Sequence, residues 1–109
     1  MIGKAQLAST KKGAFVVNTA RGGIVDELAL HEALVSGHLG GAGLDVCVQE
    51  PMPTDHPLLA LPNVVVAPHV AGCTLQGMDR LSCATIANIL SVFDGAPILE
   101  NVINKEVLR

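Results

Sequence analysis

Apolar residues fall in short, unalternating runs at Ala14–Val17, Gly41–Val46 and Val64–Val66. Such runs predict strands buried on both faces of a parallel sheet, whereas strict alternation would mark a strand with one wet face. Between the first two lies a helical stretch with Leu28, Leu30, Ala33 and Leu34 mostly on one side, Asp26 placed to cap it and Gly37 to end it. Residues 14–46 therefore predict one β-α-β unit with two adjacent parallel strands and a right-handed crossover. Pro51, Pro53, Pro57 and Pro62 exclude a regular helix over Cys47–Asn63 and predict a loop across the strand ends, where α/β sheets hold ligands. A long helix is predicted from Thr74 to Phe93, with Leu75, Met78, Ser82, Ile86, Ile89 and Phe93 near one stripe and Asp94-Gly95-Ala96-Pro97 as its stop. The tail Ile98–Arg109 has little periodicity. At the other end, Ala5–Lys12 reads as a helix closed by Lys11, Lys12 and Gly13, with no Ser, Thr, Asp or Asn ahead of it, so the sequence is expected to open in mid-element.

Composition narrows this picture. A chain of 109 residues suits one small domain or part of one, and 50% apolar against 16% charged residues excludes a disordered, solvating segment. The net charge of −3, with basic residues scattered, gives no electrostatic reason to expect nucleic acid or an anionic membrane as partner. Three cysteines without C-x-x-C spacing indicate neither a disulfide framework nor a zinc site, and a reducing, cytoplasmic location is expected. No apolar stretch reaches the length of a membrane span or forms a secretory signal. With neither Trp nor Tyr, the core must be aliphatic.

Three residues with chemistry to offer each follow a predicted strand. Arg21, among small residues, could grip a carboxylate through two parallel hydrogen bonds, or be a surface arginine on a glycine-rich turn. Thr19–Gly22 offers backbone groups with little side-chain bulk, so a flat ring could approach closely. His69 stands at a strand's end after Pro68, and an imidazole there could protonate a carbonyl oxygen and take the proton back; structural histidines are the commoner case. Glu50 could orient that ring and stabilise its charged form, or be a solvated loop glutamate far from it. Asp45 could bond a cofactor or satisfy nearby backbone N–H groups, and the cofactor role is favoured. Gly41-Ala42-Gly43 is no dinucleotide phosphate loop, because it leads into a strand and position 46 is Val. His and Cys are too dispersed to suggest a metal site.

The segments VNTARGG, VDELAL, GAGLDV, Glu50-Pro51, HPL, LPNV and Pro68-His69 together resemble the D-isomer-specific 2-hydroxyacid dehydrogenases, over about the last third of that family. The resemblance implies an α/β fold with a parallel, Rossmann-like sheet: residues 1–94 as the second half of a doubly wound NAD(P)-binding domain with its connecting helix, and 95–109 as a tail returning to a substrate domain. It implies Arg21 as substrate-carboxylate arginine, Glu50 as histidine-orienting glutamate and His69 as catalytic acid/base. Thr19, Ala20, Arg21, Asp45, His69 and Gly72 fall where the family contacts NAD or NADP. The implied substrate is a small 2-keto or 2-hydroxy acid and the implied assembly a homodimer. Glu50 favours a keto acid over formate, since the related formate dehydrogenases place a glutamine beside their histidine. The tail is similar to the phosphoglycerate, glyoxylate and hydroxypyruvate branches without choosing among them.

Without a phosphate-binding turn, the isolated chain is expected to be inactive, to bind dinucleotide poorly, and to expose an unpaired sheet edge and apolar surface. Two other readings stand beside this one. One is a non-catalytic module resembling the C-terminal-binding-protein corepressors, which share the fold and these residues while acting through partners. The other is a truncated product without an independent role.

Overall fold

The computed structural model describes residues 1–108; Arg109, the end of the expected tail, lies outside the described residues. The chain divides into two compact units, Met1–Ala71 and the chain from Gly72 onward.

The first unit is built on a three-stranded parallel sheet of β1 (Ala14–Asn18), β2 (Leu39–Leu44) and β3 (Val64–Val66), in that order. Its register sets the ends level: Asn18 stands beside Leu44, and Leu44 beside Val66. The loops that follow the three strands therefore leave from one edge. Helix α2 (Glu27–Val35) crosses from β1 to β2 and starts where expected, with the Asp26 carboxylate accepting from the Ala29 N–H at 2.9 Å. Beyond its end Gly37 turns the chain with φ 71°. Ala29, Leu30 and Leu34 form the buried side of α2 with Ala33 packed beside them, as expected for Leu30, Ala33 and Leu34, while Leu28 alone departs from the expected face and is exposed. They pack with Leu7, Val25, Leu39, Ala42, Leu44 and Leu58 into a wholly aliphatic core, in which Leu30 and Leu58 are completely buried.

Three expectations about the elements are corrected. Helix α1 runs only over Lys4–Ala8, because the hydroxyls of Ser9 and Thr10 bond back to the carbonyls of Gln6 and Leu7 and end it before the lysines. Among the described residues no side chain caps its first turn, as expected; Gln6 Oε1 reaches back to accept from the N–H of Gly3, the residue ahead of the helix, at 3.0 Å. Strand β2 ends at Leu44, leaving Asp45 and Val46 in the loop beyond it. Finally, the strands are buried on one face only: Phe15 is 74% exposed, Val17 72% and Val65 72%. Their runs carry the composition of two-sided burial, and the first unit by itself supplies α1, α2 and a single 3-10 turn (Pro57–Ala60) against one side.

The second unit holds α3 (Leu75–Phe93), capped by Thr74 Oγ1 on the Gly77 N–H and closed at Asp94, with Gly95 at φ 70°. None of its stripe is buried. Two short 3-10 turns, Leu99–Asn101 and Lys105–Leu108, give the tail more order than its sequence suggests. Among the described residues no helix is long and apolar enough to cross a membrane.

Candidate functional site

Each candidate residue lies on a strand-end loop whose shape is fixed by side chains bonding to backbone. After β1, buried Asn18 accepts from the Ala20 N–H at 3.1 Å and donates to the Arg21 carbonyl at 2.9 Å, folding Thr19–Arg21 back over the strand end. Arg21 Nη1 donates to the Ala20 carbonyl at 2.6 Å, and its side chain is otherwise open to solvent. Gly22 then passes so near the next loop that a Cβ on it would lie 1.9 Å from the Cys47 carbonyl oxygen. Only glycine allows the first and second loops to touch there.

After β2, Asp45 is buried and both its oxygens are engaged, accepting from the Val70 and Ala71 N–H groups at 2.8 Å each. These two N–H groups immediately follow His69 in the chain. The bond from Ala71, with help from Val70 and the nearby His69, holds the Asp45 carboxyl below the ordinary carboxylate range. His69 itself has φ 59°, a left-handed conformation that costs a residue with a Cβ about 1–2 kcal/mol. Asp45 thus clamps the stretch of loop that contains a strained backbone.

Glu50 completes the arrangement. Its Oε2 lies 2.8 Å from His69 Nδ1, and its Oε1 accepts from the Cys47 N–H at 3.0 Å. The hydrogen bond with His69 is the main cause that holds the Glu50 carboxyl below its usual range; the Cys47 N–H and the positive charge of Arg21 add to it. An ionised carboxylate only accepts, so Nδ1 must carry a proton, and Nε2, which has no partner among the described residues, is left to act. Glu50 and His69 are therefore brought into direct contact, while Arg21 stands on the neighbouring loop, near enough for its charge to act on Glu50 but bonded to its own backbone. Asp45 is joined to them through backbone. Gly72 opens the second unit as an exposed residue, and a Cβ added to it would meet nothing within 4 Å.

Two hollows flank the imidazole's loop. One, of about 390 Å³, is lined by Glu50, Pro51, Met52, Leu59, Pro68 and His69. The other, of about 280 Å³, lies on the open sheet face between Val17, Thr19, Asp45, Val65, Val70 and Ala71, with walls that are almost entirely apolar. Three residues that shape these loops are not evident from sequence: Asn18, whose only signal is its place at a strand end before a small-residue loop, and Glu27 and His56, which meet only in space.

The family model for the D-isomer specific 2-hydroxyacid dehydrogenase NAD binding domain matches residues 1–71. Glyoxylate/hydroxypyruvate reductase B of Pectobacterium carotovorum is 45% identical over the whole chain, which covers 34% of that protein. A D-isomer specific 2-hydroxyacid dehydrogenase from Xanthobacter autotrophicus, solved with NADPH and MES, is 38% identical with a TM-score of 0.79, over 96% of this chain and 43% of that one. A glyoxylate reductase from Paecilomyes thermophila reaches a TM-score of 0.81 at 35% identity, over 90% of this chain and 30% of its own. The chain thus spans about a third of the length of the curated relatives it matches. With the level-ended parallel sheet of a partial Rossmann-like domain and a family model matched across that whole sheet, the chain belongs to the D-isomer specific 2-hydroxyacid dehydrogenase family, as part of its NAD binding domain.

Proposed function

We propose that this chain carries the acid/base and substrate-anchoring residues of an NAD(P)-dependent oxidoreductase that interconverts 2-keto acids and D-2-hydroxy acids. The observation that carries this reading is the 2.8 Å contact between His69 Nδ1 and Glu50 Oε2, made by loops leaving neighbouring strands. In the reductive direction His69 gives a proton from Nε2 to the oxygen on C2 of the keto acid, and in the oxidative direction it takes that proton back. Glu50 stays ionised, holds the ring with Nε2 free, and offsets the charge when the imidazole is doubly protonated. Arg21 grips the substrate carboxylate and fixes C2 relative to His69.

The cofactor fits at its nicotinamide end. The apolar hollow beside Thr19 and Asp45 suits a flat ring, and Thr19, Ala20 and Asp45 are the residues that would stand around the ring's carboxamide. Arg21 and His69 complete the residues of the first unit that would hold it. When bound, the nicotinamide supplies or removes the hydride. The sequence contains no G-x-G-x-x-G to cradle the diphosphate, so tight binding needs the remainder of an NAD binding domain. Relatives named for glyoxylate and hydroxypyruvate support a small 2-keto acid as substrate. A homodimeric assembly follows from the family resemblance, and a reducing cytoplasm suits three unpaired thiols.

The test is a chimera in which this chain replaces the aligned segment of the Pectobacterium reductase. It should oxidise NADH or NADPH with glyoxylate or hydroxypyruvate, lose turnover with His69→Ala, and lose substrate binding with Arg21→Ala. A folded chimera that reduces neither acid, or one whose turnover survives His69→Ala, would overturn the assignment; efficient reduction by the 109-residue chain alone would instead overturn the need for the remainder of the NAD binding domain.

A further inference from the structure

Glu27 takes no part in the chemistry above, yet it reaches the loop that carries Glu50 from the first turn of α2. Its Oε1 accepts from the Val48 N–H at 2.8 Å, and its Oε2 lies 3.4 Å from His56 Nε2. Both side chains are largely covered, His56 at 20% and Glu27 at 18% exposure, which sets this contact apart from the open Lys4–Glu32 pair on the surface. The imidazole of His56 is itself fixed, because Nδ1 accepts from the Leu58 N–H at 3.3 Å and the proton therefore sits on Nε2, facing Glu27. Leu58 is fully buried in the core. A line of contacts thus runs from the core through His56, which lies against Glu27, and by the Glu27 hydrogen bond to Val48. The next residue back, Cys47, donates to Glu50 Oε1, and the other oxygen of Glu50 meets His69.

We propose that Glu27 and His56 are positioning residues that brace the Cys47–Glu50 loop and so aim the Glu50 carboxylate at His69. This rests on the acid/base reading of Glu50 and His69. The loop needs a brace: Val48, Gln49 and Glu50 are all exposed, and among the described residues the hydrogen bonds to the Cys47–Glu50 backbone come from Glu27 and from Glu50 itself, beside the close packing of Gly22 on Cys47. A carboxylate accepting a backbone N–H makes a short, strong, charge-assisted bond, and Glu27 is anchored by a capped helix behind it. Released from Glu27, Val48 would turn to water, and the Glu50 backbone would drift away from an imidazole whose own position is set separately through Asp45.

The experiment is NMR on the 109-residue chain, reading amide exchange at Cys47 and Val48 and the ring nitrogen shifts of His69. In Glu27→Ala, exchange at the two amides should rise about ten-fold or more, and the His69 ring shifts should move toward those of a Glu50→Ala control. Amides of β2 should keep their protection. Glu27→Gln retains an oxygen for Val48 and should restore most of both signals, while His56→Ala should produce a smaller change in the same direction. Wild-type His69 shifts and Val48 exchange in Glu27→Ala would overturn the proposal, as would a Glu27→Gln variant that restores nothing. If Glu27→Ala does not fold, His56→Ala decides: faster Val48 exchange supports the brace, and unchanged exchange with unchanged ring shifts overturns it. None of these readouts involves turnover, so an inactive chimera and an absent brace are separate outcomes.

Discussion

Gly22 and Gly23 are indistinguishable in sequence, but the structure assigns them opposite constraints, and substituting each by alanine separates the two. At Gly23 φ is 78° and nothing lies within 4 Å of an added Cβ, so the cost of alanine there is conformational, about 1 kcal/mol. At Gly22 the backbone is not in the left-handed region, but the new Cβ would sit 1.9 Å from the Cys47 carbonyl oxygen, 2.4 Å from its carbon and 2.9 Å from the Val48 nitrogen. A carbon–oxygen contact needs roughly 3.3 Å, so the two loops must part by about 1.4 Å. Every atom met is backbone, and no rotamer change can relieve the contact. Overpacking of ordinary cores costs about 1–3 kcal/mol, and this site belongs at or beyond the upper end. For a chain of this size each kcal/mol lowers the melting temperature by about 4–8 °C, giving a drop of roughly 4–8 °C for Gly23→Ala and more than about 12 °C for Gly22→Ala. Thermal melts by circular dichroism measure both. Equal melting temperatures, or a Gly22→Ala variant within a few degrees of the parent chain, would refute the claim that the Arg21 and Glu50 loops are locked together at this point.

Three further outcomes follow from the same loops. Glu50 and Asp45 both have carboxyl groups held below their ordinary values of about 4, so each contributes stability that is fully present above that pH and is lost as pH falls through the lower folded values. Melting temperature should be nearly level down to about pH 5 and fall below about pH 4, less steeply in Glu50→Gln; a variant with the parent's acid slope would contradict this. Asp45→Asn turns one of two accepting oxygens into a donor facing an N–H, and should lower the melting temperature by several degrees and shift the His69 backbone resonances; unshifted resonances would remove Asp45 as the clamp. Cys47 is buried, and burial followed by the charges of Glu27, Glu50 and Asp45 pushes its thiol up, so a thiol reagent should label exposed Cys73 and Cys83 quickly and Cys47 only on unfolding. Three fast equivalents would be the contrary result.

Much of this arrangement is legible in sequence because its signals are local. Asp26 caps the residue three positions on, Thr74 does the same for α3, and Val64–Val66 is bounded by Asn63 and Pro68. The strand-end positions of Arg21, Glu50 and His69 follow from those boundaries. What is not legible depends on partners distant in the chain. Glu27 looks like an ordinary acid in a helix's first turn, and its bond to Val48 spans 21 positions. His56, before a proline in a loop, gives no hint that its ring is buttressed by Leu58. The apolar runs of β1 and β3 mislead for the opposite reason: Phe15, Val17 and Val65 record a preference for burial on two faces, whereas the first unit covers one. The α3 stripe behaves in the same way.

The division of labour between Asp45 and Glu50 shows how geometry, not residue type, assigns the chemistry. Both are carboxylates on the loop after β2, and both are held ionised below the usual range. Asp45 gives its two oxygens to consecutive backbone N–H groups, so its energy goes into holding a loop in which His69 adopts φ 59°. Glu50 gives one oxygen to its own loop and the other to the imidazole. Under the proposed acid/base role, a proton arriving on Nε2 needs a carboxylate in contact with the ring, and among the described residues Glu50 supplies that contact. Exchanging the two roles would require Asp45 to release the amides that keep His69 in its strained conformation. In the proposed function the clamp and the acid/base partner therefore have to be separate carboxylates, and the short loop between Leu44 and Pro51 supplies both.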